Sequence, residues 1–272
     1  MKRGFYADVF SSTKMESAEP LPDVLPADCR LILTPCGKYY LNIPIALKEY
    51  KDKQSGPGSF VFIDPGVKNF LTCYDSDERL LTIGERNICR LRRLDHHRRK
   101  LQGRIDQCES HRSRYRMRRA FYRLGEKTNR LVSEMHKKAA LFLCRNYDHI
   151  FIPKLNFHEF GRLSRKSKRC MTLLSHCSFV DRLIMKAAEF KRKTSVTVVT
   201  EQWTSKTCSA CGHIDCNLNN ADIYRCTECG LQCSRDGNGA KNIMLKWMCE
   251  QLGTVGESTA DELTGALGLV PW

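Results

Sequence analysis

Two pairs of cysteines have the spacing of a metal site. Cys208 and Cys211 are separated by two residues, and after fourteen further residues the same spacing recurs in Cys226 and Cys229. A two-residue gap lets both sulfurs of a pair reach one ion, and four thiolates at about 2.3 Å satisfy tetrahedral Zn²⁺. The pattern predicts one structural zinc ion, because a site closed by four cysteines has no open position for catalysis.

Other residues in the same segment leave the ligand set open. Cys216, Cys233 and His213 lie close enough in sequence to replace one of the four cysteines. Gly212 and Gly230 follow the second cysteine of each pair and permit the tight turns of a zinc ribbon. The zinc ion is expected to position this segment and not to take part in a reaction.

One aspartate occupies a place from which a sheet can present a carboxylate to solvent. Asp64 follows the apolar run at 60–63 and precedes Pro65 and Gly66, which have turn chemistry. An aspartate that begins a turn usually only caps that turn. The position of Asp64 is therefore a candidate site that needs support from the rest of the chain.

Alternating helix and strand patterns predict the elements that position these residues. Strands are expected at 60–64, 70–74, 80–83, 149–152 and 195–200. A helical hairpin is expected between 86 and 145, with breaks near 103 and 110–113, and a further helix near 178–192. This order predicts a mixed α/β core, and the runs at 30–34 and 39–43 predict a separate hairpin upstream of it.

The predicted helical hairpin carries most of the chain's charge. Residues 86–138 contain 18 Lys or Arg and 5 acidic residues, which gives +13 of the total formal charge of +15. Such an imbalance favours binding to nucleic-acid phosphates over a merely solvated face. The candidate contacts are Arg92, Arg93, Arg98, Arg99, Arg112, Arg114, Arg116, Arg118, Arg119 and Lys206. A second basic run at 161–169 is interpreted as a loop that adds further contacts.

The composition excludes several classes of protein. The chain has 272 residues, of which 42% are hydrophobic and 28% charged, so neither wholesale disorder nor a membrane protein fits. No run approaches about 20 apolar residues, and the first 20 residues lack the apolar core of a secretory signal. We expect a protein of the cytoplasm or nucleus, and of the nucleus in a eukaryotic host. There, 15 cysteines do not indicate a disulfide framework.

Three linked motifs resemble the RuvC-like nuclease of the TnpB proteins and their eukaryotic and viral relatives, the Fanzor proteins. They are FIDPGVKNF at 62–70, WTSKTCSACG at 203–212 and RDGNGAKNI at 235–243. The order matches the family, and the resemblance covers about residues 30–247. It implies an RNase H-like (RuvC) mixed sheet with an inserted basic helical hairpin and an inserted four-Cys zinc ribbon. It also implies an RNA-guided DNA endonuclease encoded by a transposable element.

The resemblance assigns catalytic acids residue by residue. Asp64 matches the first catalytic aspartate and Asp236 matches the last. Pro153 stands where most TnpB proteins have a glutamate at the end of the middle strand. Glu201, at the end of the next predicted strand, resembles the rearranged glutamate of Fanzor proteins and can supply the third carboxylate. Glu159, in a polar segment, is a weaker candidate.

Two Mg²⁺ ions are the catalytic cofactors that this resemblance implies, beside the structural zinc. Hard Mg²⁺ prefers carboxylate oxygen, so Asp64, Glu201 and Asp236 are the expected ligands, with Asp64 as the bridge between the ions. Two ions about 3.5 to 4 Å apart would promote deprotonation of the attacking water and stabilise the leaving oxygen during phosphodiester hydrolysis. The expected partners are DNA and a guide RNA, and no membrane is involved.

The expected domain organisation follows the same resemblance. It has an N-terminal segment with a remnant of a wedge β-barrel (1–58), a nuclease core (59–205 and 231–248) that includes the basic helices (86–145), a zinc ribbon (206–230) and a tail (249–272). Only about 60 residues precede Asp64, whereas relatives have a much longer N-terminal half.

The competing hypothesis is a non-catalytic zinc-ribbon protein, degenerate or domesticated, that binds DNA or RNA without cutting it. The short N-terminal part and Pro153 favour this alternative, whereas the two aspartates and Glu201 favour the enzyme. Convergence of the three carboxylates distinguishes the two hypotheses.

Overall fold

The chain divides into two compact units, residues 1–47 and 48–272, and the first of them contains a small hairpin. The computed structural model describes residues 18–23, 27–46, 58–153, 164–190, 194–216 and 221–254. In the first unit, β1 (Arg30–Leu33) and β2 (Tyr39–Asn42) pair antiparallel, with Leu33 opposite Tyr39. This confirms the hairpin predicted at 30–34 and 39–43.

A five-stranded mixed sheet is the centre of the second unit. Its strands are β3 (Phe60–Pro65), β4 (Leu71–Asp75), β5 (Leu80–Ile83), β6 (His149–Pro153) and β7 (Ser195–Val199). The strand order is β5-β4-β3-β6-β7; the first three strands are antiparallel, and β6 and β7 run parallel to β3. Because the carboxyl ends of parallel strands meet at one edge, the segments that follow β3, β6 and β7 are neighbours.

The described residues of the second unit form five helices in addition to this sheet. They are α1 (Asn87–Asp106), α2 (His111–Asn146), α3 (Arg165–Leu174), α4 (His176–Ala187) and α5 (Arg235–Thr254). None of the helices in the described ranges combines the length and apolar character needed to cross a membrane. A short hairpin of β8 (Ile223–Arg225) and β9 (Gln232–Ser234) leads directly into α5.

The two faces of the sheet are covered by different helices. Val61 and Ile63 of β3 join a core with Leu143 of α2 and Leu183 of α4. The alternate side chains of β3 pack on the other face, where Phe62 lies in a second cluster with Ile243 of α5. Since side chains alternate along a strand, Asp64 shares the face of Phe62 and is directed toward α5.

The helical hairpin is confirmed, with one break instead of two. The helices α1 and α2 are separated at 107–110, and the side chain of Ser110 caps α2 by accepting a hydrogen bond from the Ser113 N–H at 3.4 Å. Gly103 lies within α1 and does not interrupt it. The cost of one exposed glycine, about 1 kcal/mol, is small beside the packing of the helix on α2.

The basic run at 161–169 is a helix from Arg165 onward, so its interpretation as a loop is wrong for that part. Residues 161–163 lie outside the described ranges. The side chain of Ser164 accepts a hydrogen bond from the Ser167 N–H at 3.1 Å and caps the first turn. Cys170, Met171 and Leu174 are buried at helical spacing. The burial of these three side chains stabilises the helix. The charged residues of its first turn do not by themselves predict a helix.

Candidate active site and metal centres

Three acidic side chains come from neighbouring positions at one edge of the sheet. Asp64 is near the carboxyl end of β3, Glu201 comes two residues after β7, and Asp236 is the second residue of α5. Burial raises the pKa of Asp64 to about 7, and the negative charges of Glu201 and Asp236 add to this shift. Arg235 acts in the opposite direction. A bound cation would relieve this repulsion, because it would favour the ionised carboxylates.

The spacing of these acids differs from that of the cysteines. Within the described ranges, one set of at least three His, Cys, Asp or Glu residues has all of its ligand atoms within 4.8 Å of one another. This set consists of the four predicted cysteines. The three carboxylates are therefore more widely spaced. Their oxygen donors fit Mg²⁺, which binds hard ligands and usually retains several of its waters.

The pKa of Asp64 leads to a prediction about stability in the absence of Mg²⁺. Because the folded-state pKa of about 7 exceeds the ordinary value of 3.8, the unfolded chain ionises first, and stability falls as the pH rises between these values. Above pH 7 the penalty reaches up to about 4 kcal/mol, and Asp64→Asn removes it. We expect the variant to melt higher than the wild type, with a larger difference at pH 8 than at pH 6.

Thermal unfolding in magnesium-free buffer measures this difference. Chelators must be omitted, because they would also remove an ion from the cysteine site. A difference that is the same at both pH values would contradict a raised pKa for Asp64.

Strand β6, which lies between β3 and β7, supplies no carboxylate to this edge. Pro153 is the buried last residue of β6 and pairs with Val199 of β7. Glu159, the weaker sequence candidate for the third acid, lies outside the described residues. Glu201 is thus the acid that follows the adjacent parallel strand, β7, at this edge.

Another buried aspartate at the sheet is structural. Asp75 accepts hydrogen bonds from the Tyr147 hydroxyl at 2.9 Å and from the Asp77 and Arg79 N–H groups at 3.0 and 2.9 Å. The Arg79 guanidinium also forms an ion pair with it at 3.0 Å. Because its oxygens are satisfied in this way, Asp75 stabilises the β4–β5 turn and is not a candidate ligand.

Glycine permits the first turn of α5 to approach Asp64 closely. A Cβ atom built on Gly239 would lie 2.7 Å from Asp64 Oδ2, which is shorter than any normal contact. Two residues earlier, a Cβ on Gly237 would lie 2.8 Å from Leu80 Cδ2. Gly239 therefore leaves room for the Asp64 carboxylate, whereas the half-exposed Leu80 side chain can move away from a Cβ at position 237.

Two asparagines of the same motif are functional candidates that the sequence reasoning missed. Asn242 Nδ2 donates to the carbonyl oxygens of Thr204 and Thr207 at 2.8 and 2.5 Å. Asn238 Nδ2 donates to the Thr207 carbonyl at 2.7 Å, and its Oδ1 accepts from the Ser209 N–H at 3.0 Å. They hold the segment between Glu201 and the cysteines on α5. Their i, i+4 spacing places both on one helix face, and this spacing is visible in the sequence.

The cysteine quartet has two similar turns. Cys208 and Cys226 are buried, whereas Cys211 and Cys229 are exposed. The Sγ atoms of Cys208 and Cys229, and those of Cys211 and Cys226, lie 3.6 Å apart. The backbone N–H groups of Cys229 and Glu228 lower the pKa of Cys226 to about 6, which favours the thiolate. The cluster can hold a metal such as zinc.

The alternatives left open by the sequence do not join this cluster. Cys216, Cys233 and His213 are described, and none belongs to the group of mutually close ligand atoms. Gly212 and Gly230 have φ values of 76° and 73°, in the left-handed region that favours glycine, as each tight turn requires.

The two basic runs of the sequence border one cavity. It has a volume of about 820 Å³ and lies between α1 and α3. Its basic lining residues are Arg92, Arg93, Arg99, Arg165, Lys166 and Arg169. Asp95 lies among them and pairs with Arg99 Nε at 3.2 Å and Arg169 Nε at 2.6 Å, which links the two helices.

The other predicted nucleic-acid contacts have three different environments. Arg98 packs its guanidinium 4.3 Å from the centre of the Phe121 ring, and Arg114 donates to the Cys108 carbonyl, so these two stabilise the hairpin. Lys206 is half-buried and directs its ammonium toward the ring of Trp203, at 5.7 Å from the ring centre. The remaining four are exposed on α2: Arg112, Arg116, Arg118 and Arg119.

Sequence comparisons identify relatives over most of the chain. Residues 42–164 match the OrfB/IS605 family, described as "Probable transposase", and residues 176–243 match the "Cas12f1-like, TNB domain" family. A candidate transposase of Paramecium bursaria Chlorella virus 1 is 30% identical over 228 residues, or 84% of this chain and 51% of that protein. A TnpB-like protein of Acanthamoeba polyphaga mimivirus is 29% identical over 248 residues, or 85% of this chain and 45% of that protein. The chain thus spans about half the length of the curated relatives it matches.

Comparison of structures defines the fold class. The cryo-EM structures of a Cas12f1–sgRNA–target DNA complex and of a CRISPR-Cas12f ternary complex align with TM-scores of 0.52 and 0.54. Both are 19% identical and are matched over 75% of this chain and 41% of theirs. The mixed α/β architecture is therefore of the Cas12 type. The two family matches and the viral relatives show that the chain belongs to the TnpB family.

Proposed function

We propose that the chain carries the catalytic part of a metal-dependent DNA endonuclease of the TnpB/Fanzor type, encoded by a transposable element and directed by a guide RNA. One observation carries the proposal: Glu201 and Asp236 lie near enough to Asp64 for their charges to raise its pKa. The strand order, with three antiparallel strands followed by two parallel ones, supports an RNase H-like (RuvC) core at 59–205 and 231–248. The ribbon at 206–230 is inserted in this core.

In this proposal each acid has a stated role. Asp64, on the central strand, would hold Mg²⁺ together with Glu201 and Asp236. Bound Mg²⁺ would supply electrostatic stabilisation of the charge that develops on the attacking and leaving oxygens. The chain holds the three carboxylates at fixed positions: β3 carries Asp64, the first turn of α5 carries Asp236, and the asparagine contacts fix the segment after Glu201.

A structural zinc ion in the cysteine quartet is part of the same proposal. Asp236 follows Cys229 by seven residues, and α5 continues directly from β9 of the ribbon. Lys68, in the turn after Asp64, pairs with Asp222 beside β8. Folding of the ribbon around the ion therefore helps to position both aspartates.

Gly239→Ala separates site geometry from stability. The added methyl group would displace the Asp64 carboxylate, and misplacement of a catalytic group by about 1 Å can lower a rate about 100-fold. We expect cleavage to fall at least about tenfold while the melting temperature is unchanged or higher, since alanine favours a helix by about 1 kcal/mol over glycine.

Gly103→Ala is the matched control for this substitution. A Cβ on Gly103 of α1 has no neighbour within 4 Å. The control should increase stability without loss of cleavage. Normal cleavage by the Gly239→Ala variant would show that close approach at Asp64 is unimportant.

The basic cavity gives a prediction about salt dependence. Lys and Arg that neutralise phosphates release counterions, and each contact adds about 0.7 to 0.9 to the slope of log affinity against log salt. The double variant Arg92→Ala/Arg165→Ala should therefore reduce this slope by about 1.5. Arg130→Ala/Lys137→Ala, which removes the same charge from exposed positions of α2 outside the cavity, should change it much less. Equal effects of the two double variants would contradict a phosphate-binding role for the cavity.

The test of the proposed function uses the full chain purified with its bound nucleic acid. RNA recovered from the preparation is sequenced, and plasmids that carry a region complementary to it are incubated with the protein and Mg²⁺. We expect cutting that depends on Mg²⁺ and on complementarity. The absence of cutting on every complementary plasmid, with the protein folded and zinc bound, would reject the enzyme.

A non-catalytic DNA- or RNA-binding protein is the second candidate function. Pro153 favours it, because this buried residue occupies the strand end where the family usually has a glutamate. Salt-dependent binding without Mg²⁺-dependent cutting would support this function over the endonuclease.

A further inference from the structure

A tryptophan stands exposed beside the acid cluster, although large aromatic rings are usually buried. Trp203 follows Glu201 by two residues and is 62% exposed. Its φ of 70° lies in the left-handed region, which is uncommon for a residue other than glycine. By contrast, Trp247 packs on Phe62 and Phe151 in the core, with ring centres 5.8 and 4.5 Å away. The exposure of Trp203 therefore has no explanation in packing.

The turn that carries Trp203 is held by hydrogen bonds on both sides. The Trp203 carbonyl accepts from the Lys206 and Thr207 N–H groups at 3.0 and 3.1 Å and from the Thr207 hydroxyl at 3.0 Å. The buried Thr204 donates its N–H and hydroxyl to the Glu201 carbonyl at 3.3 and 2.8 Å. Asn242 binds the Thr204 and Thr207 carbonyls from α5. The indole is thus presented to solvent on a backbone fixed relative to Glu201.

A positive charge accompanies the indole. Lys206 Nζ lies 5.7 Å from the centre of the Trp203 ring and donates to the Cys216 carbonyl at 3.4 Å. An aromatic ring that can stack on a base, next to a cation that can contact the adjacent phosphate, is the combination that binds single-stranded nucleic acid. Duplex bases offer no free face to such a ring, because both faces are already stacked.

We propose that Trp203 and Lys206 form a stacking platform for one base of single-stranded DNA beside the acid cluster. The indole stacks on the base and the ammonium contacts the neighbouring phosphate, so that the strand is held next to Asp64, Glu201 and Asp236. The proposal rests on the proposed function in one respect, that this strand is the one to be cut. Trp203 is then a positioning residue, because it does not touch the reacting atoms.

Binding without Mg²⁺ tests the platform independently of cleavage. The probes are fluorescein-labelled oligothymidylate and an abasic oligomer of the same length, which keeps the phosphates and lacks the bases. Stacking on an aromatic side chain changes affinity by about 5- to 150-fold per base. We expect Trp203→Ala to weaken oligothymidylate binding about tenfold or more and to leave abasic binding unchanged. Trp203→Phe should retain most of the preference for bases.

Two further variants separate the aromatic and charge contributions. Lys206→Ala should weaken binding to both probes and reduce the salt slope by about one, whereas Trp203→Ala should leave the slope unchanged. Ile223→Ala removes another exposed apolar side chain, on β8, and should have no effect on either probe. Melting temperatures of all variants should equal that of the wild type.

Failure of the platform can be told apart from failure of the proposed function. Equal affinity of the wild type and Trp203→Ala for oligothymidylate, or an equal loss on both probes, would overturn the platform even if the protein cuts DNA. A Trp203-dependent preference for bases that persists in the Asp64→Ala background would support the platform, whether or not the wild type cuts.

Discussion

Asp64→Ala should lower Mg²⁺-dependent DNA cleavage by at least about 100-fold, because metal ions stabilise the charge of the transition state by several kcal/mol. Glu201→Ala and Asp236→Ala should have effects of the same order. Since the three acids act as a unit, a double variant should be little worse than either single variant. Nucleic-acid affinity, which depends on the basic helices, should remain close to that of the wild type.

Cleavage rates and binding affinities measured on the same preparations check this prediction. Asp77→Ala is the matched control, since Asp77 is an exposed carboxylate in the β4–β5 turn that pairs with Arg79 at 2.7 Å. It should cut at the wild-type rate. Wild-type cleavage by the Glu201→Ala variant would show that Glu201 is not part of the catalytic centre. Glu201 would then not replace the glutamate that is missing at position 153.

Cys226→Ser should abolish zinc binding and, with it, most of the cleavage activity. A structural zinc site contributes about 10 to 16 kcal/mol of binding free energy, and small zinc domains unfold without the metal. Unfolding of the ribbon would release the segment held by Asn238 and Asn242 and loosen the start of α5. We expect the zinc content to fall from about one ion per chain to near zero, and cleavage to fall at least about 100-fold.

Metal content by atomic spectroscopy and cleavage by gel assay measure these two effects. Cys216→Ser is the matched control, because this exposed cysteine lies in the same segment but outside the quartet. It should keep both zinc and activity. Loss of zinc from the Cys216→Ser variant, or full zinc content in the Cys226→Ser variant, would contradict the ligand set.

Local patterns predicted the elements of the fold well. The short apolar and β-branched runs of β3, β6 and β7 and the apolar stripes of α1 and α2 are properties of short segments, so they can be read without tertiary information. The cysteine quartet was predictable for the same reason, because each pair forms its own turn. The first turn of α3 was not, since its stability depends on the burial of Cys170, Met171 and Leu174 against other elements.

The site was predicted only in part, because its details depend on contacts between distant segments. The motifs indicated Asp64, Asp236 and Glu201. They did not indicate the close approach of Gly239 to Asp64 or the hydrogen bond from Asn242 to the Thr204 carbonyl. Two of the arginines predicted to contact nucleic acid also depend on contacts with other segments. Arg98 and Arg114 have the same sequence character as their neighbours, yet helix packing directs them into the hairpin.

The core behind the site shows a further arrangement that no local pattern indicates. His136 of α2 and His176 of α4 stack on Phe70, with ring centres 5.1 and 4.9 Å from it. The Nε2 atom of His176 lies 3.1 Å from the carbonyl of Gly66, in the turn that follows Asp64. Burial lowers the pKa of His176 to about 4, so it is neutral at physiological pH. It stabilises the turn by a neutral hydrogen bond.

The most direct test of the carboxylate centre is the position of divalent metal in crystals of the protein soaked in manganese chloride, measured from the anomalous scattering of Mn²⁺. We expect ordered Mn²⁺ held by the carboxylates of Asp64, Glu201 and Asp236. This measurement needs no knowledge of the guide or the target. Ordered Mn²⁺ elsewhere with none at Asp64, or a centre from which Glu201 is directed away, would contradict the account.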